Sequence, residues 1–429
     1  MKITGLQIDS YRHLQNLTFD FTYPEGHAKF GQPLEKICII GQSATGKTGL
    51  LELVKASFAQ IADSAIVDGK NLAGYLRPDF HGHVEYLSEN GSLRMEKDKV
   101  FLRGEKYERF QHAISSSTMI DLIPDKLRLL FITSDIISKE AINIFNQNPL
   151  DLVIQLPAEQ NEILRTRKAT ASYIYKFTQG EKEELWLSLS DRILTYRKQF
   201  IQWAFSMASK GTVADVTKLS SEFNEWSRTY PNPLKEFAEI FNPILQKLNL
   251  EVDLVNTDYL VPIRSLLKDK IIPTSQLSTG TKSLLLSLYP VHELDTKDSI
   301  ILIDEPERSL FPDIQIDLVD HYRRLAPDAQ FIIATHSPFI AAAFEPEERF
   351  ILYFDEQGNV AVRRGESPIG DDPNDMLRND FKVSYYNQHG KDAYNKYRHL
   401  KQKMAAAPTK EKQNEILVEM SALGDKYNF

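Results

Sequence analysis

The sequence has little of the features that mark secreted or membrane-inserted proteins. It contains one cysteine, Cys38, among 429 residues, which excludes a disulfide framework within the chain and favours a reducing compartment. The opening residues Met1–Gly5 lack the long apolar segment of a secretory signal. No stretch approaches the roughly 20 apolar residues that a membrane-spanning helix needs. These absences predict a cytoplasmic protein without a membrane partner.

An excess of positive charge is also missing. Asp and Glu number 59 against 51 Lys and Arg, which gives a formal net charge of −8 at pH 7. A strongly basic surface for nucleic acid is therefore absent, and any DNA or RNA contact has to come from a local patch or an assembled surface. Basic stretches at residues 94–106 and 391–403 are candidates, although a solvated face is the simpler interpretation of each.

A phosphate-binding loop is the clearest motif. Residues 41–48 fit G-x-x-x-x-G-K-[ST] at every fixed position, between an apolar run at 37–40 and a helical pattern at 50–56. In such a loop, backbone N–H groups and the N-terminus of the following helix bind the phosphates of a nucleoside triphosphate. The residues expected to bind ATP are Gly41, Gln42, Ser43, Ala44, Thr45, Gly46, Lys47 and Thr48.

The phosphate loop has an acidic counterpart much later in the chain. Four apolar residues at 300–303 are typical of a buried parallel strand, and Asp304 and Glu305 follow at its carboxyl end, where α/β sheets bind ligands. We expect Thr48 and Asp304 to hold Mg²⁺. Glu305 is placed to polarise the attacking water, while Lys47 stabilises negative charge on the transferring phosphoryl group.

Two further segments add to the pattern. Residues 276–283, Gln-Leu-Ser-Thr-Gly-Thr-Lys-Ser, open a predicted helix and fit either an anion site or a simple helix N-cap. Residues 331–338 contain another buried strand with His336 at its carboxyl end. Because this strand follows the one that ends in two carboxylates, the position of His336 favours a contact with the γ-phosphate over a structural role.

The order of the four motifs resembles that of the ABC-type ATPase superfamily. Leu277–Lys282 is similar to the signature of its RecF-like, SMC-like and overcoming-lysogenisation-defect members. Asp304–Pro312 resembles their Asp-Glu-Pro-Glu-x-x-Leu-His-Pro, with Phe311 in place of the histidine. Ser10–Arg12 looks like part of their first hairpin, which suggests that Arg12 lies near the nucleotide. The resemblance implies an α/β ABC-ATPase head, with a P-loop core in a mixed sheet, an antiparallel subdomain and a helical insertion.

The resemblance also implies how the sites are completed. In this superfamily the signature faces ATP held by another subunit, so Ser278 and Gly280 are expected to contact ATP in trans. Two complete sites would then form in a head-to-tail homodimer, or in a higher oligomer built on such dimers. ATP and Mg²⁺ are the implied cofactors, with Lys47, Glu305 and His336 as catalytic residues. The candidates for the superfamily's glutamine loop are Gln111, Gln147, Gln155 and Gln160.

Changes of pattern along the chain predict four parts. Residues 1–157 form an N-terminal ATPase lobe with the phosphate loop and a small antiparallel sheet, and residues 158–270 form a helical insertion. Residues 271–365 form a C-terminal ATPase lobe with the other three motifs, and residues 366–429 form a mostly helical tail. The insertion is too short for the long arms of true SMC proteins.

Three biological roles fit the resemblance. The first is the ATPase subunit of a bacterial anti-phage defence system of the Septu or PARIS kind, which controls a separate nuclease or toxin. The second is a RecF- or SMC-like ATPase of DNA repair or replication, and the third is an ATP-dependent scaffold without a nucleic-acid role. The segment after His336 shows neither a Toprim-like acidic pattern nor an HNH-like cluster. We therefore expect no nuclease activity in the chain itself and favour the first role.

Overall fold

The structure is a computed structural model, and it describes most of the chain. The described residues are 1–65, 79–89, 91–96, 99–108, 129–134, 174–177, 183–273, 276–294, 296–383 and 388–427. The chain divides into two compact units, Met1–Gly370 and Asp371–Phe429. No helix among the described residues is both long and apolar enough to cross a bilayer.

The first unit combines sixteen described strands with seven described α-helices. The strands are β1 (Lys2–Tyr11), β2 (Leu14–Asp20), β3 (Lys36–Gly41), β4 (His81–Ser88), β5 (Gly91–Glu96), β6 (Lys99–Leu102), β7 (Glu105–Glu108), β8 (Leu129–Ile132), β9 (Ile174–Phe177), β10 (Leu250–Val252), β11 (Ile263–Ser265), β12 (Lys270–Ile272), β13 (Ile300–Asp304), β14 (Gln330–Thr335), β15 (Arg349–Phe354) and β16 (Val360–Arg364). The helices are α1 (Lys47–Ala65), α2 (Glu183–Ser209), α3 (Val216–Thr229), α4 (Pro233–Leu245), α5 (Thr279–Glu293), α6 (Pro312–Leu325) and α7 (Pro338–Ala341).

A seven-stranded sheet in the order β16-β15-β3-β14-β13-β8-β9 holds the predicted motifs. All of its neighbouring strands are parallel except β15 and β16. In register, Ile303 of β13 pairs with Ile333 of β14, which pairs with Cys38 of β3. The continuous apolar runs of these strands suit a parallel sheet that is covered on both faces. Because β3, β13 and β14 are parallel, their carboxyl ends meet at one edge of the sheet.

A second, antiparallel sheet has the order β2-β1-β4-β5-β6-β7. Its pairing is set by alternating apolar residues, as where Ile8 of β1 lies opposite Leu17 of β2. One buried cluster unites this sheet with α1 and the central sheet, and it includes Ile8, Leu50, Phe131 and Leu302. The predicted α/β fold, with a P-loop core and an antiparallel subdomain, is confirmed.

The segment between the two predicted lobes contains strands as well as the predicted helices. Helices α2, α3 and α4 agree with the predicted helical patterns, and Pro243 lies in α4 two residues before its end. However, β9 joins the central sheet beside β8, and β10-β11-β12 form a separate antiparallel sheet. The run Ile174–Phe177 is rich in β-forming residues, and pairing with β8 lets it form a strand within a helical stretch of sequence.

The second unit is helical. Its helices are α8 (Pro373–Asn379), α9 (Gln388–Ala406) and α10 (Lys410–Tyr427). Three residues between Ala406 and Lys410 separate α9 from α10. Lys396 and Glu419 form an ion pair of 2.9 Å between these helices. The other basic side chains of α9 are exposed, which agrees with a solvated helix face.

Candidate functional site

The phosphate loop connects β3 to α1, as its pattern predicted. β3 ends at Gly41 and α1 begins at Lys47. Ala44 and Gly46 both have positive φ, 67° and 93°. A Cβ on Gly46 would lie 3.1 Å from the side chains of His13 and Leu14, so glycine meets both a conformational and a steric requirement here. The hairpin between β1 and β2 therefore packs directly against the phosphate loop.

Lys47 is buried at the start of α1. Its Nζ donates hydrogen bonds to the carbonyl oxygens of Gly41, at 2.9 Å, and Gln42, at 3.1 Å. Burial lowers the pKa of Lys47, and the nearby carboxylates of Glu305 and Asp304 act in the opposite direction. The Lys47 ammonium thus lies beside the phosphate loop, close enough to Asp304 and Glu305 at the end of β13 to interact with their negative charge.

Thr48 and Asp304 are in direct contact, although 256 residues separate them in sequence. The Thr48 hydroxyl donates a hydrogen bond of 2.9 Å to Asp304 Oδ2. Asp304 Oδ1 is buried and has no hydrogen-bond partner among the described residues. Burial raises the pKa of Asp304 to about 6, while the Thr48 hydrogen bond opposes this rise. An oxygen pair with one buried, unsatisfied carboxylate oxygen fits Mg²⁺, which prefers oxygen ligands and is often held by few protein groups plus substrate phosphates.

Glu305 and His336 lie side by side at the same edge. His336 Nε2 is 3.6 Å from Glu305 Oε1. Glu305 has a φ of 48°, a strained value for a residue with a side chain, and its N–H donates to the carbonyl of Ala334 at 2.9 Å. Burial, followed by the charge of Lys47, lowers the pKa of His336, so its imidazole is mainly neutral at pH 7. The structure thus brings the predicted catalytic residues together.

The signature segment is organised around the N-terminus of α5. Ser278 is its N-cap, and its Oγ accepts the N–H of Thr281 at 3.1 Å and lies 2.8 Å from the Thr281 hydroxyl. A Cβ on Gly280 would lie 2.2 Å from the carbonyl oxygen of Ser309, so only glycine allows this close approach. The signature segment therefore packs against the loop that follows Glu305. Ser278 itself is exposed to solvent.

Arg12 lies against the first turn of α1 rather than in the loop. It has a φ of 54° in the hairpin between β1 and β2, and its guanidinium forms a 3.1 Å ion pair with Glu52. Its Nη1 would be 3.5 Å from a Cβ on Gly49. The glutamine-loop candidates Gln111, Gln147, Gln155 and Gln160 lie outside the described residues.

Glu307 was not predicted as a site residue from the sequence. Its Oε1 accepts the backbone N–H of His336 at 2.7 Å. The sequence does show Glu307 as the third carboxylate of the Asp-Glu-Pro-Glu segment. Its hydrogen bond with His336, however, depends on β13 and β14 being neighbours in the sheet. Among the described residues no group of three His, Cys, Asp or Glu side chains is arranged to bind a metal.

Three solved structures of SMC head domains are similar to the chain. A head bound to the C-winged helix domain of ScpA has 12% identity and a TM-score of 0.42, and covers 85% of this chain and 97% of its own. A head with an extended coiled coil, bound to the C-terminal domain of ScpA derived from Pyrococcus furiosus, has 14% identity, a TM-score of 0.37, and coverage of 85% and 96%. A head from Thermotoga maritima has 11% identity, a TM-score of 0.40, and coverage of 86% and 100%.

These scores are low, so the fold assignment rests on the strand order and site of this chain. No curated protein matches the sequence. The AAA ATPase domain family matches residues 85–341, which is well over half of the chain. The matched range includes the signature, Asp304, Glu305 and His336. The chain belongs to the AAA ATPase domain family.

Proposed function

We propose that the protein is a Mg²⁺-dependent ATP hydrolase whose sites are completed by a second copy of the chain. The observation that carries the hydrolase is the bond between Thr48 and Asp304, which leaves a buried Asp304 oxygen beside the phosphate loop without a partner in the described part of the chain. Thr48 and Asp304 would hold Mg²⁺. When bound, the metal neutralises charge on the phosphate oxygens.

The remaining groups act by position and charge. The phosphate loop binds the triphosphate through backbone N–H groups, and Lys47 places its ammonium beside them. Glu305 orients the attacking water and accepts its proton. His336 is close enough to Glu305 to share this work, and its neutral imidazole can donate a hydrogen bond to the γ-phosphate.

The exposed position of Ser278 supports a composite site. Its hydroxyl bonds within the first turn of α5, while the helix N-terminus faces solvent. Such an N-terminus binds anions, and in a two-fold dimer it would reach the γ-phosphate held by the other chain. ATP would then close the dimer and hydrolysis would open it, which makes the protein an ATP-gated clamp or sensor.

A mixing experiment tests the composite site. Lys47→Ala removes the phosphate-loop half of a site and Ser278→Arg removes the signature half, so each variant alone should be inactive. In a mixed dimer the intact loop of one chain meets the intact signature of the other. If exchange is free, half of the dimers are mixed and each has one good site, so activity should return to about one quarter of the native value.

The matched control mixes Lys47→Ala with Glu305→Gln. Both changes affect the phosphate-loop half, so no combination of these chains contains a complete site, and activity should stay at background. Recovery in the first mixture alone supports the composite site. Native turnover by Ser278→Arg alone, or equal recovery in both mixtures, would overturn it.

For the biological role we propose the ATPase subunit of an anti-phage defence system that controls a separate nuclease or toxin. The support is the resemblance of Leu277–Lys282 and Asp304–Pro312 to RecF-like, SMC-like and overcoming-lysogenisation-defect ATPases, combined with an insertion too short for the arms of true SMC proteins. The test compares plaque counts on cells that carry the gene with its neighbours, in native and Glu305→Gln forms. Protection lost in the variant supports the role. Unchanged plaque counts together with sensitivity to DNA damage in a deletion strain would favour repair instead.

A further inference from the structure

Glu307 connects two loops that leave neighbouring strands. It lies in the loop after β13, and its Oε1 accepts the N–H of His336, 29 residues later, in the loop after β14. Its Oε2 is buried and has no hydrogen-bond partner among the described residues. Burial raises the pKa of Glu307, while the His336 amide, its own amide and the Thr335 hydroxyl stabilise the charged form. Burial of a carboxylate costs free energy unless it is paired and hydrogen-bonded, and these hydrogen bonds offset part of that cost.

Gln315, in the first turn of α6, joins the same two loops in a different way. Gln315 Nε2 donates to the carbonyl of Leu310 at 2.8 Å, and its Oε1 accepts the Ser337 hydroxyl at 2.5 Å. Ser337 also caps α7, since its Oγ accepts the N–H groups of Phe339 and Ile340. The two loops therefore stay joined without Glu307. The carboxylate instead holds the end of β14 and the residue that follows it, through the Thr335 hydroxyl and the His336 N–H.

The backbone of His336 determines where its imidazole lies. Nε2 is 3.6 Å from Glu305 Oε1, and both side chains are partly exposed, so the position of the ring depends strongly on the backbone that carries it. Loss of the amide anchor would let His336 move relative to Glu305, and misplacement by about 1 Å can cost as much as 100-fold in rate. We propose that Glu307 is a positioning residue that fixes His336 beside Glu305, an inference that rests on the catalytic role proposed for His336.

Steady-state ATP hydrolysis by two Glu307 variants tests this geometry. Glu307→Ala removes the acceptor, so kcat should fall about tenfold while KM for ATP changes less than about twofold. Glu307→Gln keeps an oxygen acceptor for the His336 N–H, so kcat should recover to within about threefold of native. The exposed Glu356, in the turn between β15 and β16, provides the control Glu356→Ala, which should leave both constants unchanged. Circular dichroism and thermal unfolding verify that each variant is folded.

A double-mutant cycle with His336→Ala separates positioning from general structural support. If Glu307 acts through His336, Glu307→Ala should lower kcat by less than about twofold once His336 is already alanine. Equal losses in both backgrounds would overturn the inference, as would equal losses in Glu307→Ala and Glu307→Gln.

The single variants distinguish the catalytic role of His336 from the positioning role of Glu307. Native turnover by His336→Ala would remove the role proposed for His336 and the inference with it. A large loss in His336→Ala with none in Glu307→Ala would overturn the inference alone.

Discussion

Buried polar groups are paired differently at the two ends of the central parallel strands, the amino edge with Gln330 and Lys36 and the carboxyl edge with Asp304 and Glu307. At the amino edge, the Gln330 side chain makes three hydrogen bonds, to both the N–H and the carbonyl of Ile3 and to the carbonyl of Leu34. Lys36 pairs with Glu348 at 3.2 Å, and Glu348 also accepts the N–H of Glu345. These groups have partners within the chain, which is the usual state of buried polar atoms.

At the carboxyl edge, Asp304 and Glu307 each bury one carboxylate oxygen without a hydrogen-bond partner among the described residues. The backbone there is also strained, with positive φ at Ala44, Glu305 and Ser309. A satisfied polar group stabilises the fold, whereas an unsatisfied one reduces stability and is retained where a ligand uses it. The comparison therefore predicts that substitutions at the carboxyl edge change activity and that those at the amino edge change stability.

The largest effect is expected for Glu305→Gln. The amide cannot accept a proton from water, so kcat should fall by ~100- to 10,000-fold, the usual range for loss of a general base. ATP binding and thermal stability should remain close to native, and ATP should hold the protein as a dimer on size exclusion. Glu356→Gln is the matched control on an exposed turn. Native turnover by Glu305→Gln would exclude Glu305 from this role.

Gln330→Leu should have the opposite profile. It leaves the N–H and carbonyl of Ile3 and the carbonyl of Leu34 without the Gln330 partner, which should reduce the free energy of unfolding by about 2–4 kcal/mol. Urea unfolding measures this loss, while kcat per folded molecule should stay within about twofold of native. The exposed Gln357 supplies the control Gln357→Leu. A fall in kcat without a change in stability would contradict the assignment of the amino edge to structure.

The sequence was informative where a site residue lies directly beside a strong local pattern. The phosphate loop, Asp304 and His336 each follow an apolar strand, so their common edge could be predicted from parallel pairing alone. A helix N-cap was one of the two interpretations of residues 276–283, and the structure places Ser278 at that cap.

Contacts between distant segments could not be predicted in this way. The bond from His336 to Glu307 depends on β13 and β14 being neighbours, and the bonds of Gln330 depend on where β1 crosses the sheet edge. The strand Ile174–Phe177 lies in a helical stretch of sequence, and its pairing with β8 outweighs its surroundings. Local propensity carries no information about any of these pairings.

The smallest effect, and the sharpest test of the comparison, is expected for Asp304→Asn. Burial raises the pKa of Asp304 from its ordinary value of 3.8 to about 6. The folded chain therefore binds this proton more tightly than the unfolded chain, and the stability of the native protein falls as pH rises through that window. The variant lacks the charge, so its Tm without nucleotide should exceed the native Tm near neutral pH, and the difference should shrink towards zero as pH approaches about 4.

Added Mg²⁺ and ATP should raise the native Tm more than that of Asp304→Asn, because the variant has lost a charged ligand. Differential scanning fluorimetry at several pH values, with and without Mg²⁺ and ATP, measures both effects. A native protein that is more stable than Asp304→Asn near neutral pH would mean that the Thr48 hydrogen bond outweighs the cost of burial. In that case Asp304 would stabilise the fold as Gln330 does, which would contradict the difference between the two edges.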